Sequence, residues 1–563
     1  DYNANYSFKS GSIEKESEFF FDEAIKAAQI IAEKYNILTA NTGVFPQTSS
    51  EPENPYFSMF CDIDMEKYNE VLLWRRYNTG LGVANEVCQY GCVGNNGVGT
   101  TKSMIDAFIL KNGEPIYASP MWADENSSYW GDNNIIHITK NRDTRADIFI
   151  KKPGQKNLHT QAGDHGVVEE WGPNITASSV TEKYNTGYAL RKGLNPDGKY
   201  TNNTQSIVGS IIFRTAEAYL NYIEAYYELH GSLDSYAEKY WKAIRRRAGI
   251  DEDYTKTIRL TDMSKEAETD WGAYSGGEII DATRYNIRRE RRCELMAEGL
   301  RSMDLHRWRS MDQMITKPYH ILGMNLWQEM YGWDWYKDSN GNSILKEGEN
   351  VSPRSFSTYL APYHITANNI VYNGYKWNMA HYLDPIAAEH FLVTSSGGDL
   401  DSSPIYQNPG WPMNCDKMTI NEVENYFKKA QELGLNCVQI PISWNMVEPK
   451  ENKYDYSIVN SILQFVNKYN LKMELLWFST NMVGDSFSYL IPQYVLQEYN
   501  KRLSRNDEGN FWNYYGYQYT MILDDEWILE RETKAITALF NHIRYWDSQN
   551  GDKHPVISAQ IHN

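Results

Sequence analysis

Paired ligand cysteines are missing from this 563-residue chain. Of Cys61, Cys88, Cys92, Cys293, Cys415 and Cys437, only Cys88 and Cys92 stand close together, and no second pair or neighbouring His completes a zinc set. The cysteines are therefore expected to be free or sporadically bonded thiols, with no metal site. No apolar run reaches the roughly 18 residues that would suggest a membrane span. The chain begins at Asp1 with no signal peptide or lipobox cysteine. Positive charge is also in short supply: Lys and Arg number 55 against 73 Asp and Glu, a net charge of −18. Such a surface repels phosphates and anionic headgroups, which argues against nucleic acid and against electrostatic docking on lipid. Neutral partners fit better.

Hydrophobic residues, at 41%, are ample for sizeable cores, and the length suits roughly two to four domains. Aromatics reach 14%, with 42 Tyr and 17 Trp, many of them in Gly/Asn/Ser/Pro-rich stretches without period. An aromatic face in a polar loop can stack on the C–H face of a pyranose while neighbouring polar groups bond its hydroxyls. The segment 119–134, SPMWADENSSYWGDNN, sets Trp122, Tyr129 and Trp130 among small polar residues and is the first candidate platform. Tyr90 and the cluster around Trp333 and Trp335, with Trp327 and Tyr331, follow, as do Trp171 and Trp74 with Tyr77. For each ring the competing reading is a partly buried cap on a helical core. Trp74, ending an apolar run, fits that competing reading best.

Helical periodicity covers 17–35, 211–230, 233–248 and 284–310, whereas 36–210 and 311–410 read as long loops, short strands and turns. Loops of that length, rich in aromatics, point to function. In the run Arg284–Trp308, Ile287, Leu295, Leu300 and Leu305 keep an apolar face. Glu290, Glu294, Glu298 and Asp304 lie three or four residues from arginines that can pair with them. The expectation is one helix with partly buried, mutually satisfied charges; the alternative is a solvated, salt-bridge-laced face.

The order ERR-x-EL-x-x-EG-x-R-x-x-DL-x-RW in that run resembles the late helix of the SusD/RagB family of surface glycan-binding lipoproteins of Bacteroidetes. IIFRTAEAYLNYIEAYYELHG (211–231), YWKAIRRRAGI (240–250), HYLDPIAAEHF (381–391) and IYQNPGWP (405–412) follow the family's order. The resemblance covers residues 1–412 and implies a mainly α, tetratricopeptide-like framework carrying a loop-rich ligand half, with early N-terminal helices missing. It further implies non-catalytic capture of oligosaccharide or polysaccharide without a cofactor, at the outer-membrane surface. The implied partner is a SusC-like TonB-dependent transporter, with membrane contact only through a lipid anchor that this chain lacks.

From 413 the texture changes without a linker. Helical patterns at 420–434, 457–470 and 526–546 alternate with apolar strand patterns at 436–442, 471–478 and 554–562, the signature of a parallel α/β unit. We read 413–563 as an incomplete (β/α)8 barrel. SWNMVEPKENKYDYS (443–457) resembles the W-N-x-x-E-P-x-x-G-x-Y-D-F segment of retaining, β-galactosidase-type clan A glycoside hydrolases, with Asn452 in place of the usual Gly. The terminal AQIHN resembles the clan's fourth strand, where an Asn precedes the acid/base Glu; the chain stops at Asn563. Retaining hydrolysis needs two carboxyl groups about 5–5.5 Å apart, and neither has a position here. Glu448, before Pro449, reads as a structural or capping residue. Trp444, Asn445 and Asn563 are candidates for a sugar subsite, against simple barrel-end packing. Three readings follow: non-catalytic glycan capture, a glycoside hydrolase with an N-terminal binding module, or a truncated chimera with neither activity complete.

Overall fold

Ile25, Ala28 and Ala32 recur at helical spacing, so the helix Ser17–Lys34 buries one stripe. The computed structural model describes residues 17–93, 99–126, 128–160, 175–176, 183–202, 204–326, 328–394, 420–432, 434–479, 490–498, 502 and 525–561. The chain divides into two compact units, Asp1–Trp377 and Asn378–Asn563.

In the first unit the stripe of Ser17–Lys34 packs with Thr215–His230 and Ser235–Arg247, and Ile287 of Ala282–Glu294 joins the same core. The apolar seam includes Tyr219, Ile223, Tyr240, Trp241 and Ile244. Asp234 caps Ser235–Arg247 by accepting the Ala237 N–H. The IRRRAG end of that helix has a steric reason: Gly249 sits at φ +65°, and a Cβ there would lie 2.8 Å from the Thr144 methyl.

The helical pattern at 211–230 begins too early. Residues Ser210–Arg214 form a strand antiparallel to Val71–Arg75, with Leu73 opposite Phe213, and the helix starts at Thr215. The run Ile211-Ile212-Phe213 is strongly β-favouring, and a partner strand was available only through the fold. Within 36–210, Pro55–Cys61, Val87–Val93, Lys102–Ala107 and Thr144–Phe149 are helices. They are too short for periodicity to reveal them. Asn54, Thr101 and Asp143 cap three of these helices.

The expected single helix across Arg284–Trp308 is two, Ala282–Glu294 and Arg301–Arg307. Ala297 at φ +61° and Gly299 at φ +81° break it. Its charges are satisfied mainly across the fold, not along the helix. Glu294 accepts from Arg214 at 2.7 Å, Arg247 at 2.6 Å and Arg145 at 3.0 Å. Glu70 takes a second bond from both Arg214 and Arg247, Glu290 takes Arg145, and Glu298 takes Lys192 and Arg214. Asp304 binds Arg291, thirteen residues away, and Arg307, three away. Burial alone would raise the Glu294 pKa, but Arg247, Arg214 and Arg145 hold it well below the usual carboxylate range.

The second unit contains the parallel sheet. Cys437–Ser443 pairs in parallel with Lys472–Phe478, which pairs in parallel with Val556–Gln560. Helices Ile420–Glu432, Ser457–Lys468 and Glu526–Gln549 supply Phe427, Val459, Ile462, Leu463, Leu539 and Ile543 to a core with Ile440, Ile442, Met473 and Leu475. The strand pattern at 554–562 suggested burial, yet Ile557 and Ile561 are 59% and 51% exposed. Val556–Gln560 is an edge strand whose outer side has no partner strand among the described residues.

Candidate functional site

Trp122 has φ +60°, a conformation that costs a bulky residue about 1–3 kcal/mol. The turn that imposes it is held by the Trp122 N–H, which donates to the Tyr129 carbonyl at 3.0 Å. Asn141, itself at φ +58°, closes the loop by donating to the carbonyls of Glu125 and Ser128 at 2.8 and 3.1 Å. The Trp130 indole N–H also donates to the Glu125 carbonyl, at 3.2 Å. The Trp122 ring is thereby held half in solvent, 51% exposed.

The Trp122 and Trp130 rings lie 4.7 Å apart, tilted by 51°. His137 packs edge-on against both, at 5.2 and 5.6 Å. The Lys140 ammonium sits 3.2 Å from the Trp130 ring centre and 3.7 Å from the Glu125 carboxylate. Burial, with Lys140 nearby, lowers the His137 pKa, so the imidazole is neutral at pH 7. One face of Trp130 is thus covered by a cation, and Trp122 presents the more open ring. Tyr129 is half-buried, its ring over the buried Arg142 guanidinium at 5.1 Å, and burial pushes its phenol well up.

The same loop meets a second aromatic group about two hundred residues away. Asn134 and Ile136, beside His137, line a cleft of about 460 Å³ with Gly332, Trp333, Asp334 and Trp335. Trp335 is 50% exposed and Trp333 half-buried. Asp132 anchors the loop from behind, accepting from Asn325 at 3.0 Å and from the Tyr359 hydroxyl at 2.6 Å. Trp122 and Trp130 are joined with His137, and Trp333 and Trp335 wall the adjoining cleft.

Tyr90 belongs to neither group. It is half-buried on Val87–Val93, a helix anchored by Cys88 and Cys92 against Leu158, Leu194 and Val208. Trp74 packs on the core that contains Phe57 and Phe60, and Tyr331 packs on that of Met330 and Tyr336. Trp171 and Trp327 lie outside the described residues.

In the second unit the Trp444 ring is fully buried and donates to Glu448 at 2.8 Å, so it presents no face to a ligand in this structure. Glu448 also accepts from the Asn452 N–H at 2.6 Å and the Tyr494 hydroxyl at 3.1 Å. Asn452 takes φ +56°, the left-handed conformation that the Gly of the related pattern would favour and that Asn tolerates. Asn445 is half-buried on the short helix Trp444–Val447, and Asn563 lies outside the described residues.

His137, Lys140 and Asn141 escaped the sequence reading because a His and a Lys in an irregular loop carry no period. Asn141, two residues before the Asp143 helix cap, was a legible turn signal. Among the described residues no group of three His, Cys, Asp or Glu could hold a metal ion, and no helix is long and apolar enough to cross a membrane.

Residues 62–411 match the SusD family, and residues 415–476 match glycosyl hydrolases family 35. The second match covers only a fragment of the 413–563 stretch over which the hydrolase resemblance was drawn. No curated protein matches the chain. Among solved structures, a SusD-like protein from Bacteroides fragilis NCTC 9343 is 19% identical with a TM-score of 0.42, over 70% of this chain and 62% of its own. A SusD-like carbohydrate-binding protein from the same strain is 19% identical with a TM-score of 0.40, over 61% and 56%. Surface glycan-binding protein A from Bacteroides thetaiotaomicron, in complex with laminarihexaose, is 16% identical with a TM-score of 0.28, over 69% and 60%. The chain spans less than two thirds of the length of these structures.

Proposed function

The chain belongs to the SusD family, and from that premise we propose that its first unit captures oligosaccharide or polysaccharide at the bacterial cell surface, without catalysis, for import through a SusC-like TonB-dependent transporter. The observation that carries the reading is the exposed Trp122 ring, held at a strained backbone angle against Trp130 and His137 beside the Trp333/Trp335 cleft. Strain at an exposed aromatic is retained where the surrounding loop over-determines it, and such positions cluster at ligand sites. In this reading Trp122 stacks on a sugar face, Trp130 and His137 buttress it, and Trp335 extends the contact. No covalent step and no cofactor is required.

Affinity electrophoresis of the full chain against plant and host polysaccharides tests the reading. Retardation is expected with at least one neutral polysaccharide, and Trp122→Ala should weaken it tenfold or more, a loss of about 1.4 kcal/mol. Trp130→Ala should weaken it less, because one face of that ring is already covered. Retardation unchanged in both variants would sink the platform.

The family 35 match over 415–476 favours a second reading, in which a longer chain carrying both catalytic carboxylates hydrolyses the captured glycan. Reducing sugar released in the same mixtures would move the function to hydrolysis.

A further inference from the structure

Three rings of the first unit stack face to face in loops that the platform does not use. His364 lies 3.7 Å from Phe356, tilted by 22°, and 4.0 Å from Tyr372, tilted by 16°. Two rings cannot share one face at such distances, so His364 is the middle of the stack. Its Nδ1–H donates to the Tyr372 carbonyl at 2.7 Å, which fixes the imidazole plane. His320 lies 4.8 Å from Phe356 and 5.5 Å from His364. The separations among Phe356, His364 and His320 make nearly a right angle at the Phe356 ring centre, so His364 covers one face of Phe356 and His320 meets its edge. The opposite face carries no aromatic ring among the described residues, and Phe356 is 40% exposed.

The backbone holds the open ring in place. The Leu360 N–H donates to the Met324 carbonyl at 2.8 Å and the Leu326 N–H to the Thr358 carbonyl at 2.7 Å, while the Ala361 N–H closes the loop on Ser352 Oγ at 2.9 Å. Tyr319 and Tyr375 exchange both backbone hydrogen bonds, at 2.9 and 2.8 Å, and so dock the loop of Tyr372 beside His320. Gly374 has φ +89°, and a Cβ there would lie 3.0 Å from the Pro318 Cβ and 3.1 Å from His320 Nε2, so glycine is what lets these two loops meet. Because the ring is already immobilised by its neighbours, a ligand that stacks on it gives up little side-chain freedom. The residues beside the rings in the chain, Ser355, Ser357 and Asn373, are small and polar. An aromatic face set among such groups suits a sugar better than a protein partner, which would need a broad apolar patch.

We propose that the open face of Phe356 is a second saccharide contact, apart from the Trp122 platform, on which one pyranose unit of a bound glycan lays its C–H face. Ser355 and Asn373, both exposed, offer a hydroxyl and an amide to the sugar hydroxyls. Phe356 stands three residues before Tyr359, whose hydroxyl donates to Asp132 of the platform loop. At most about 11 Å of chain separates Phe356 from that anchor, and a polysaccharide long enough to touch both contacts gains by avidity. The ligand class rests on the capture reading, but the open ring does not depend on Trp122.

The test uses the full chain carrying Trp122→Ala and Trp130→Ala, so that the platform is already gone. Saturation-transfer NMR with cellotriose, laminaritriose, maltotriose and xylotriose should show transfer to at least one of them, strongest at the ring C–H protons of one unit. Adding Phe356→Ala should weaken that binding tenfold or more, and Phe356→Tyr, which keeps the ring, should restore it. Transfer to none of the four, with the near-UV spectrum intact, means that the stack only packs the loops, and the proposal falls. Transfer unchanged by Phe356→Ala overturns it equally. The same substitution in the otherwise unaltered chain should lower polysaccharide retention at least threefold, and no change there also overturns the proposal, even where the platform variants fail to fold. Loss of retention in the Trp122→Ala chain is a separate measurement, so the platform and the Phe356 contact can fail independently.

Discussion

Trp122 shows how a single residue can be chosen from sequence for one reason and be informative in the fold for another. An aromatic among small polar residues drew attention to it; its φ of +60° could not be read from the chain. That angle makes a testable inversion. Replacing Trp122 by Ala keeps a Cβ in the left-handed region, whereas Gly has no such penalty. Trp122→Gly should therefore be more stable than Trp122→Ala by about 1 kcal/mol, the reverse of their order in a helix, and urea unfolding of the two variants checks it. Equal midpoints would mean that the loop relaxes out of the strained angle once the indole is gone. Asn452 is the legible counterpart: a residue tolerant of positive φ stands where the related pattern has Gly, and it adopts φ +56°.

At the scale of elements, Arg284–Trp308 was readable as helical, amphipathic and internally neutral, but its pairing was not. Spacing of three and four residues offers partners along the helix, yet Glu294 is claimed by Arg145, Arg214 and Arg247 from three other segments. Only Asp304 with Arg307 keeps a helical spacing among these pairs. The cause is burial: a carboxylate out of reach of water needs several donors at once, and one helix cannot supply them. Removing the charge leaves three buried guanidiniums short of a partner. Glu294→Gln should cost about 3–5 kcal/mol, measured by denaturant unfolding. A loss under about 1 kcal/mol would show that the network behaves like a surface pair.

At the scale of the whole molecule, the two units differ in what holds them. The first is cross-linked by buried ion pairs around Glu294 and Asp270, the second by the apolar core of its parallel sheet. Burial alone would raise the Asp270 pKa, but Arg292, Arg301 and the Gly272 N–H bring it down to about 2. Glu294, Glu298 and Glu224 are also lowered, against their burial, by neighbouring arginines and, at Glu298, by Arg214 together with Lys192. A depressed carboxylate contributes stability that is present above its unfolded pKa, about 3.9 for Asp and 4.3 for Glu, and lost as pH falls through the folded value. Asp143, raised by burial, acts in the opposite sense. In the second unit the lowered carboxylates Glu424, Asp455, Asp525 and Glu530 are exposed or half-buried, where solvent screens their pairs. Acidification from pH 5 towards 2 should therefore unfold 17–377 before 437–560. Hydrogen exchange followed by mass spectrometry reads the order, and protection lost first in Lys472–Phe478 would contradict it.

Periodicity along the chain was enough to reveal the long helices of both units and the parallel alternation after residue 436, and an ordered set of motifs spread over hundreds of residues was enough to reveal the family. The sequence also pointed to Trp122 and Trp130 as a pair, because aromatic rings in a polar loop have few reasons to be there. Only folding settled which arginine meets which carboxylate, that 210–214 is a strand, where the Arg284–Trp308 run breaks, and that His137 and Lys140 pack on the Trp122 and Trp130 rings. The physical reason is range. Periodicity and turn chemistry act over a few residues and leave a local trace, whereas charge satisfaction, strand pairing and cleft formation join segments far apart in the chain and leave none.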